Sequence, residues 1–170
     1  MKNILRISIC FLLLFSLTSC KEQTKKASKA FLDFPLSFEG KVTAIKDGDT
    51  YKVLYAGSER TIRLAHIDCP EKKQPFGNRA KQFASDICFG KIVTVKTEGK
   101  TDRNKRIIGE IILQDGTYVN KELVRNGLAW HFKKYSTDNE YAQLETEARQ
   151  KQIGLWADKE QIPPWEWRHK

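Results

Sequence analysis

Residues 38–67 read FEGKVTAIKDGDTYKVLYAGSERTIRLAHI, a stretch in which β-forming runs alternate with turn signals. Three runs are rich in β-branched and aromatic residues: Phe38–Lys46, Tyr51–Tyr55 and Arg60–Ile67. They are separated by Asp47-Gly48-Asp49 and by Ala56-Gly57-Ser58, and both sequences are typical of tight turns. The stretch therefore predicts a meander of three consecutive antiparallel strands.

The residues that follow alternate between helix and strand patterns. Ala80, Phe83, Ala84 and Ile87 share one helix face, and Gly90 ends that helix. Two more strands and then two more helices are predicted at Ile92–Lys96, Arg106–Leu113, Val119–Asn126, and from a capping box at Thr137 to Gly154. The order βββαββαα predicts an α+β fold, in which a five-stranded OB-type β-barrel packs against three helices.

The composition indicates a folded domain with a basic surface. The chain has 170 residues, is 40% hydrophobic and 11% aromatic, and carries 30 Lys and Arg against 21 Asp and Glu. This excludes disorder throughout, and the net charge of +9 indicates either a polyanionic partner or a solvated basic face. The chain contains no H-E-x-x-H, phosphate-binding Gly-Lys-Ser/Thr or Gly-x-Ser-x-Gly motif, which argues against zinc peptidases, P-loop enzymes and serine hydrolases.

The N-terminus has the pattern of an export signal. Lys2 and Arg6 precede the apolar run Ile7–Leu17, which is too short to span a bilayer as a helix. The next residues, Leu17-Thr18-Ser19-Cys20, resemble the lipobox of bacterial lipoproteins, in which the Cys is acylated after cleavage. We therefore expect an exported, membrane-anchored lipoprotein that is lipidated at Cys20.

These boundaries divide the chain into four segments. We expect a signal peptide at residues 1–19, a flexible tether at 20–36, the folded domain at 37–158 and a C-terminal tail at 159–170. Export would permit a disulfide between Cys69 and Cys88, but nothing in their spacing requires one. Two isolated, small apolar residues remain the favoured interpretation of these cysteines.

Charged residues concentrate at three predicted strand ends and turns. The segments are Asp47-Gly48-Asp49-Thr50, Arg63 to Glu71, and Thr101 to Arg106. Each has an ordinary structural explanation by itself, as a turn, a solvated strand residue or a helix start. Their significance depends on whether they occur together in a known order.

In combination they resemble the staphylococcal nuclease, or thermonuclease, family. The matching motifs occur in the family's order as Asp47-Gly48-Asp49-Thr50, Arg63-Leu64, Asp68-Cys69-Pro70-Glu71, Gly127-Leu128-Ala129 and Gly154-Leu155-Trp156. The resemblance covers residues 38–156, which is most of the chain. Several linked motifs in order are a far more specific signal than any one of them.

The resemblance implies a calcium site and a set of catalytic residues. Asp49 and Asp68 would supply carboxylate ligands to Ca²⁺, and the backbone carbonyl of Cys69 would supply a third oxygen. Glu71 matches the family's general base, and Arg63 and Arg106 match its phosphate-binding arginines. One geometric difficulty remains, because Arg63 and Asp68 would lie on opposite faces of a regular strand. The strand must therefore end or twist near Ile67.

The third segment departs from the family pattern. Asn104 and Lys105 stand where the family has a nucleotide-contacting Tyr and a turn-forming Gly, and we expect Arg103 and Lys105 to bind nucleotide by charge. Tyr135 is the residue predicted to stack on a base. His66 is interpreted as a packed residue rather than a catalyst.

The resemblance thus implies a monomeric, calcium-dependent nuclease that acts on DNA and RNA outside the cytoplasm, with single strands bound at least as well as duplexes. The alternative is a non-catalytic nucleic-acid-binding module with the same barrel. Three carboxylates facing phosphate would cost a pure binder electrostatic energy, so they favour the enzyme.

Overall fold

A computed structural model describes residues 34–170. The predicted signal peptide, Cys20 and most of the predicted tether lie outside the described residues. Within residues 34–170, no helix is long and apolar enough to cross a membrane.

The described chain forms seven strands and four α-helices. The strands are β1 Ser37–Asp47, β2 Thr50–Tyr55, β3 Ser58–Leu64, β4 Ile67–Asp68, β5 Ile92–Thr101, β6 Ile107–Ile112 and β7 Trp130–His131. The helices are α1 Gly77–Cys88, α2 Val119–Arg125, α3 Asn139–Gln150 and α4 Pro164–Trp167, with a 3₁₀ helix at Gly154–Ala157. The helix α4 lies within the segment that was predicted to be a C-terminal tail.

Five of the strands close into a barrel in the order β1-β2-β3-β6-β5. Neighbouring strands of the barrel pair antiparallel, except that β3 and β6 run parallel. This parallel pair closes the barrel, with Ile62 opposite Ile107. Alternate strand residues such as Val42, Val53 and Val93 are fully buried, as expected where one face of each strand points into the core. The predicted five-stranded OB-type barrel of the α+β class is confirmed.

The third strand ends earlier than predicted. The prediction continued it to Ile67, but β3 stops at Leu64, and His66 takes a left-handed conformation with φ 68°. A non-glycine residue with positive φ cannot continue a pleated strand. The chain resumes as β4, which pairs with β7 instead of the barrel. This break brings Asp68 to the same side as Arg63 and resolves the predicted conflict between the two side chains.

The N-terminal cap of helix α3 differs from the predicted one. The cap of α3 is Asp138, whose side chain accepts a hydrogen bond from the Glu140 N–H, and not the predicted Thr137. A carboxylate accepts this bond more strongly than a hydroxyl, and its negative charge is stabilised by the positive end of the helix dipole.

Cys69 and Cys88 are both buried as free thiols.

Candidate active site

An open cleft of about 1560 Å³ lies along the edge of the barrel where β3 ends. It brings together residues as far apart in the chain as Asp47 and His169. The predicted site residues that line it are Asp49, Arg63, Asp68, Cys69, Glu71, Arg103, Arg106 and Tyr135. Lys105 is exposed but does not line the cleft.

Arg63 ties the two predicted metal-binding carboxylates together. Its Nη2 lies 2.7 Å from Asp68 Oδ1 and 3.2 Å from Asp49 Oδ2. Its Nη1 donates to the carbonyl oxygens of Leu64 and Ile67, at 2.8 and 2.9 Å. The terminal nitrogens of Arg63 thus make three hydrogen bonds, and Asp49 adds an ion pair. In this geometry Arg63 organises the carboxylates at the strand break.

Asp49 also fixes the loop after the break. Its Oδ2 accepts the Cys69 N–H at 2.8 Å, and its Oδ1 accepts the Thr50 hydroxyl at 3.2 Å. The approach is close because of Gly48, where an added Cβ would lie only 2.8 Å from Cys69 Sγ. The turn between β1 and β2 therefore needs glycine here to bring Asp49 against the loop that carries Asp68.

The electrostatics of this end of the cleft suit a hard cation. Burial, and then the neighbouring charge of Asp49, raise the pKa of Asp47 to about 6. Burial also raises the pKa of Asp68, against the opposing effect of Arg168 and Arg63. A partly buried group of carboxylate oxygens that repel one another is the donor set that calcium prefers. These oxygens are of the type that calcium prefers, although within residues 34–170 no group of three or more His, Cys, Asp and Glu side chains is arranged to hold a metal ion.

Arg106 is held at the opposite wall by the turn between β5 and β6. Asp102 Oδ2 accepts from Arg106 Nε at 2.8 Å and from Nη2 at 2.7 Å, and Thr50 Oγ1 accepts from Nη1 at 3.0 Å. A guanidinium has five N–H donors, so two of them are not used by these contacts. Although burial opposes the shift, the hydrogen bonds from Arg106 lower the pKa of Asp102. Arg106 therefore retains donors for an anionic ligand.

The departure from the family pattern in this turn has a visible structural counterpart. Lys105 adopts φ 58°, a conformation that favours glycine, and glycine is the residue that the family pattern has at this position. Asp102 compensates by accepting the backbone N–H groups of Asn104 and Arg106 at 2.9 Å each. The turn therefore keeps the expected shape without the glycine.

Glu71 lies at the start of the loop after Pro70, with its side chain partly exposed to the cleft. Its N–H donates to Gln74 Oε1 at 3.0 Å, and its carbonyl accepts the Gln74 N–H at 2.8 Å. Its carboxylate accepts Nη1 of Arg168 at 2.6 Å. The buried Gln74 side chain thus fixes the backbone of Glu71, while Arg168 contacts the carboxylate.

Aromatic side chains form another part of the cleft wall. Tyr135 is 71% exposed, and its ring meets Phe132 edge-on at 4.9 Å. Phe132 stacks in parallel on Trp165 of α4 at 5.3 Å. Trp130 is buried beside Trp156 and belongs to the core. The predicted stacking residue Tyr135 is therefore the aromatic residue with an open face.

His66 packs rather than facing a reacting group. Its ring stacks on Tyr141 at 4.8 Å, and its Nδ1 lies 2.9 Å from Ser136 Oγ. The same hydroxyl lies 2.9 Å from Nε2 of the buried His131. These contacts hold the strand break against α3.

Sequence reasoning missed three residues of the site: Thr50, Gln74 and Arg168. Thr50 and Gln74 act through hydrogen bonds to Arg106 and Glu71, and nothing in a linear sequence shows such contacts. A signal for Arg168 was present, because Pro163-Pro164-Trp165 is typical of a helix start with Pro in its first turn. It indicated an ordered segment where a tail was predicted.

The closed OB-type barrel with carboxylates and arginines facing one cleft defines a hydrolase of the nuclease class. Residues 61–158 match the family model described as staphylococcal nuclease homologue, which covers more than half of the chain. The chain belongs to the staphylococcal nuclease family.

The names of related proteins agree with this family. An "Uncharacterized endonuclease" from Escherichia coli is 43% identical over 131 residues, covering 77% of this chain and 85% of the relative. A "Micrococcal nuclease" from Shigella flexneri is 39% identical over 141 residues, covering 77% and 80%. The "Staphylococcal-like nuclease CAN1" of Arabidopsis thaliana is 43% identical over 109 residues, but the match covers only 32% of that protein.

Proposed function

We propose that this chain is a calcium-dependent nuclease that hydrolyses phosphodiester bonds of DNA and RNA with little sequence specificity. The observation that carries the proposal is the convergence of Asp49, Asp68, Glu71 and two arginines on one cleft. Arg63 lies on β3 and Asp68 on β4, while Asp49, Glu71 and Arg106 lie on turns and loops next to the strands.

Asp49, Asp68 and the carbonyl of Cys69 would hold the calcium ion, which when bound supplies positive charge beside a phosphate oxygen. Glu71 accepts the proton of the attacking water, since it lines the cleft beside Asp68. Arg106 donates its remaining N–H groups to the phosphate, and Arg63 adds a second positive charge beside the carboxylates. Charge that builds up on the phosphate during attack is stabilised by these groups.

Binding of the nucleic acid chain is assigned to the cleft walls. Tyr135 stacks on an exposed base, which favours single strands at least as much as duplexes. Arg103 lines the cleft and contacts backbone phosphate, and Lys105 on the same turn adds long-range attraction. We further propose that the protein is a monomer, exported and anchored to a membrane through lipidated Cys20.

A cleavage assay on labelled single-stranded DNA and RNA, with calcium and with a chelator, tests the function. We expect both substrates to be cut only with calcium, at a rate that falls as salt rises, because phosphate contacts release counterions. Binding without cleavage at any calcium concentration would support the non-catalytic alternative instead. Equal cleavage in chelator would remove the calcium requirement.

A further inference from the structure

Arg168 reaches the centre of the cleft from the C-terminal end of the chain. Its Nη2 lies 2.6 Å from Asp68 Oδ2, and its Nη1 lies 2.6 Å from Glu71 Oε1. Nη1 is also 3.4 Å from Asp68 Oδ1. One guanidinium therefore bridges the predicted metal-binding carboxylate and the predicted general base.

These contacts differ from an ordinary surface ion pair, although Arg168 itself is 42% exposed. The Asp68 side chain is only 1% exposed, so this end of the bridge is shielded from solvent. Charge-assisted bonds from a planar fork to two carboxylates also fix direction as well as distance. The Glu71 end of the bridge is exposed, with 38% of its side chain accessible, so the buried contact with Asp68 is what fixes the guanidinium that orients Glu71.

The C-terminal segment that carries Arg168 is held against the site by two further contacts. The buried side chain of Gln74 accepts the Glu71 N–H through Oε1 and donates through Nε2 to the Ile162 carbonyl. Trp165 of α4 stacks on Phe132, and the Arg168 N–H donates to the Pro164 carbonyl at 3.1 Å. The backbones that carry Glu71 and Arg168 are thus joined through one glutamine.

We propose that Arg168 is a positioning residue of the nuclease site, which holds the Glu71 carboxylate in a fixed direction next to Asp68. Among the described residues, Arg168 is the hydrogen-bond partner of that carboxylate. Without it, the Glu71 side chain has three rotatable bonds and no other hydrogen-bond partner within residues 34–170 to fix its direction. The proposal rests on the proposed nuclease function, in which Glu71 is the base.

The bridge leaves room for a cation at Asp68. An ionised carboxylate has about four acceptor positions, and the shorter contacts of Arg63 and Arg168 use one on each oxygen. A competing interpretation is that Arg168 blocks the cation and keeps the enzyme inactive. The two interpretations predict opposite effects when the guanidinium is removed.

The test compares the wild-type chain with Arg168→Gln and Arg168→Lys, using a single-stranded oligonucleotide at saturating calcium. Arg125→Gln is the matched control, because Arg125 on α2 pairs with Glu122 and lies outside the cleft. We expect Arg168→Gln to lower kcat by about tenfold or more with KM changed less than about threefold, which indicates loss of orientation rather than of substrate binding. Arg168→Lys should recover part of the rate, and Arg125→Gln should behave as wild type.

A double-mutant cycle separates positioning from a general structural role. If Arg168 acts through Glu71, adding Arg168→Gln to Glu71→Gln should change kcat by less than about twofold, because the two effects are not additive. Equal losses in both backgrounds would overturn the proposal.

Calcium titrations followed by thermal unfolding give a readout that does not depend on turnover. We expect wild type and Arg168→Gln to need similar calcium concentrations for stabilisation. A variant that binds calcium about tenfold more tightly and cleaves faster at limiting calcium would establish the blocking interpretation instead. If wild type does not cleave, the proposed function fails; if wild type and Arg168→Gln cleave equally, only the positioning role fails.

Discussion

At the residue scale, Asp49 shows how one side chain serves both structure and chemistry. It accepts hydrogen bonds from Cys69 N–H and Thr50, and it lies within 3.2 Å of Arg63 Nη2. These contacts join the β1–β2 turn to the loop of Asp68, and they hold the Asp49 carboxylate beside the positive charge of Arg63. A substitution here therefore changes loop position as well as metal binding, so Asp49 is a poor probe of the metal alone.

Glu71→Gln is a cleaner probe of the base. The substitution keeps the shape of the side chain and removes the proton acceptor, so kcat should fall by about two to four orders of magnitude, the usual contribution of a general base. Affinity for single-stranded DNA should persist, as measured by fluorescence anisotropy. Glu147→Gln on α3, outside the cleft, is the control. Unlike Glu71→Gln, the substitution Asp68→Asn should raise the calcium concentration that activity requires. Wild-type turnover in Glu71→Gln would exclude Glu71 as the base.

Arg106→Lys tests the phosphate-binding role of this arginine. Lysine keeps the charge but lacks the planar guanidinium whose direction the hydrogen bonds to Asp102 and Thr50 fix. We expect kcat to fall more than about tenfold, which corresponds to about 1.4 kcal/mol of transition-state stabilisation. Arg103→Ala should mainly weaken binding in a salt-dependent manner. A larger loss of turnover in Arg103→Ala would contradict this assignment.

At the scale of elements, the turn between β5 and β6 determines where Arg106 points. The strand after it buries Ile107 and Ile111, while Ile108 and Ile112 are only partly buried. The strand period of two explains the difference, since adjacent residues face opposite sides. Arg106 directly precedes this strand, so the turn and the buried isoleucines together fix its direction.

Lys105 offers a test of that turn. Lys105→Gly and Lys105→Val remove the same charge, but valine is strained at φ 58° and glycine is not. Lys105→Val should lower the free energy of unfolding by about 1–2 kcal/mol relative to Lys105→Gly, measured by urea denaturation. It should also lower kcat further, because the turn carries Arg106. Identical behaviour of the two variants would show that the turn carries no conformational strain.

The contact between β7 and α3 predicts a dependence of stability on pH. Burial lowers the pKa of His131, whose Nδ1 is buried without a hydrogen-bond partner. At this residue the unfolded state therefore binds more protons in mildly acidic solution, so the contribution of His131 to stability falls as the pH drops below the ordinary histidine pKa of about 6.5. Urea denaturation of wild type and His131→Phe at pH 7 and pH 5 should show a smaller acid-induced loss in the variant. His169→Gln at the exposed C-terminus serves as control.

At the scale of the whole molecule, the proposed membrane location depends on lipidation of Cys20. Several acyl chains hold a protein firmly on a membrane, whereas a single chain does so only marginally. We expect the wild-type protein in the membrane fraction of the cell that makes it, and Cys20→Ser in the soluble fraction or unprocessed. The purified folded domain should cleave DNA at the same rate in both forms. Wild-type protein found wholly in the soluble fraction would contradict the anchor.

Local pattern predicted the barrel well, because strand alternation and turn residues act over a few positions. The strands β1, β2 and β6 were placed within a few residues, whereas β5 was predicted to end at Lys96 and runs on to Thr101. The closed five-stranded barrel followed from the number and order of the strands. The end of β3 was missed, since only a contact with β7 and α3 holds His66 at positive φ. The site residues were predicted from their resemblance to a family pattern. The distances between them could not be predicted from the sequence.

The amino-acid sequence by itself determined the barrel, the family and the candidate residues of the cleft, because those depend on short-range patterns and ordered motifs. Only the tertiary structure decided how Arg63 and Asp68 face each other, how Lys105 replaces a glycine and that Arg168 reaches Glu71 from 97 positions away. Such contacts depend on where closure of the barrel and packing of α4 bring distant segments together. No local pattern encodes that distance, so it becomes visible only in the folded chain.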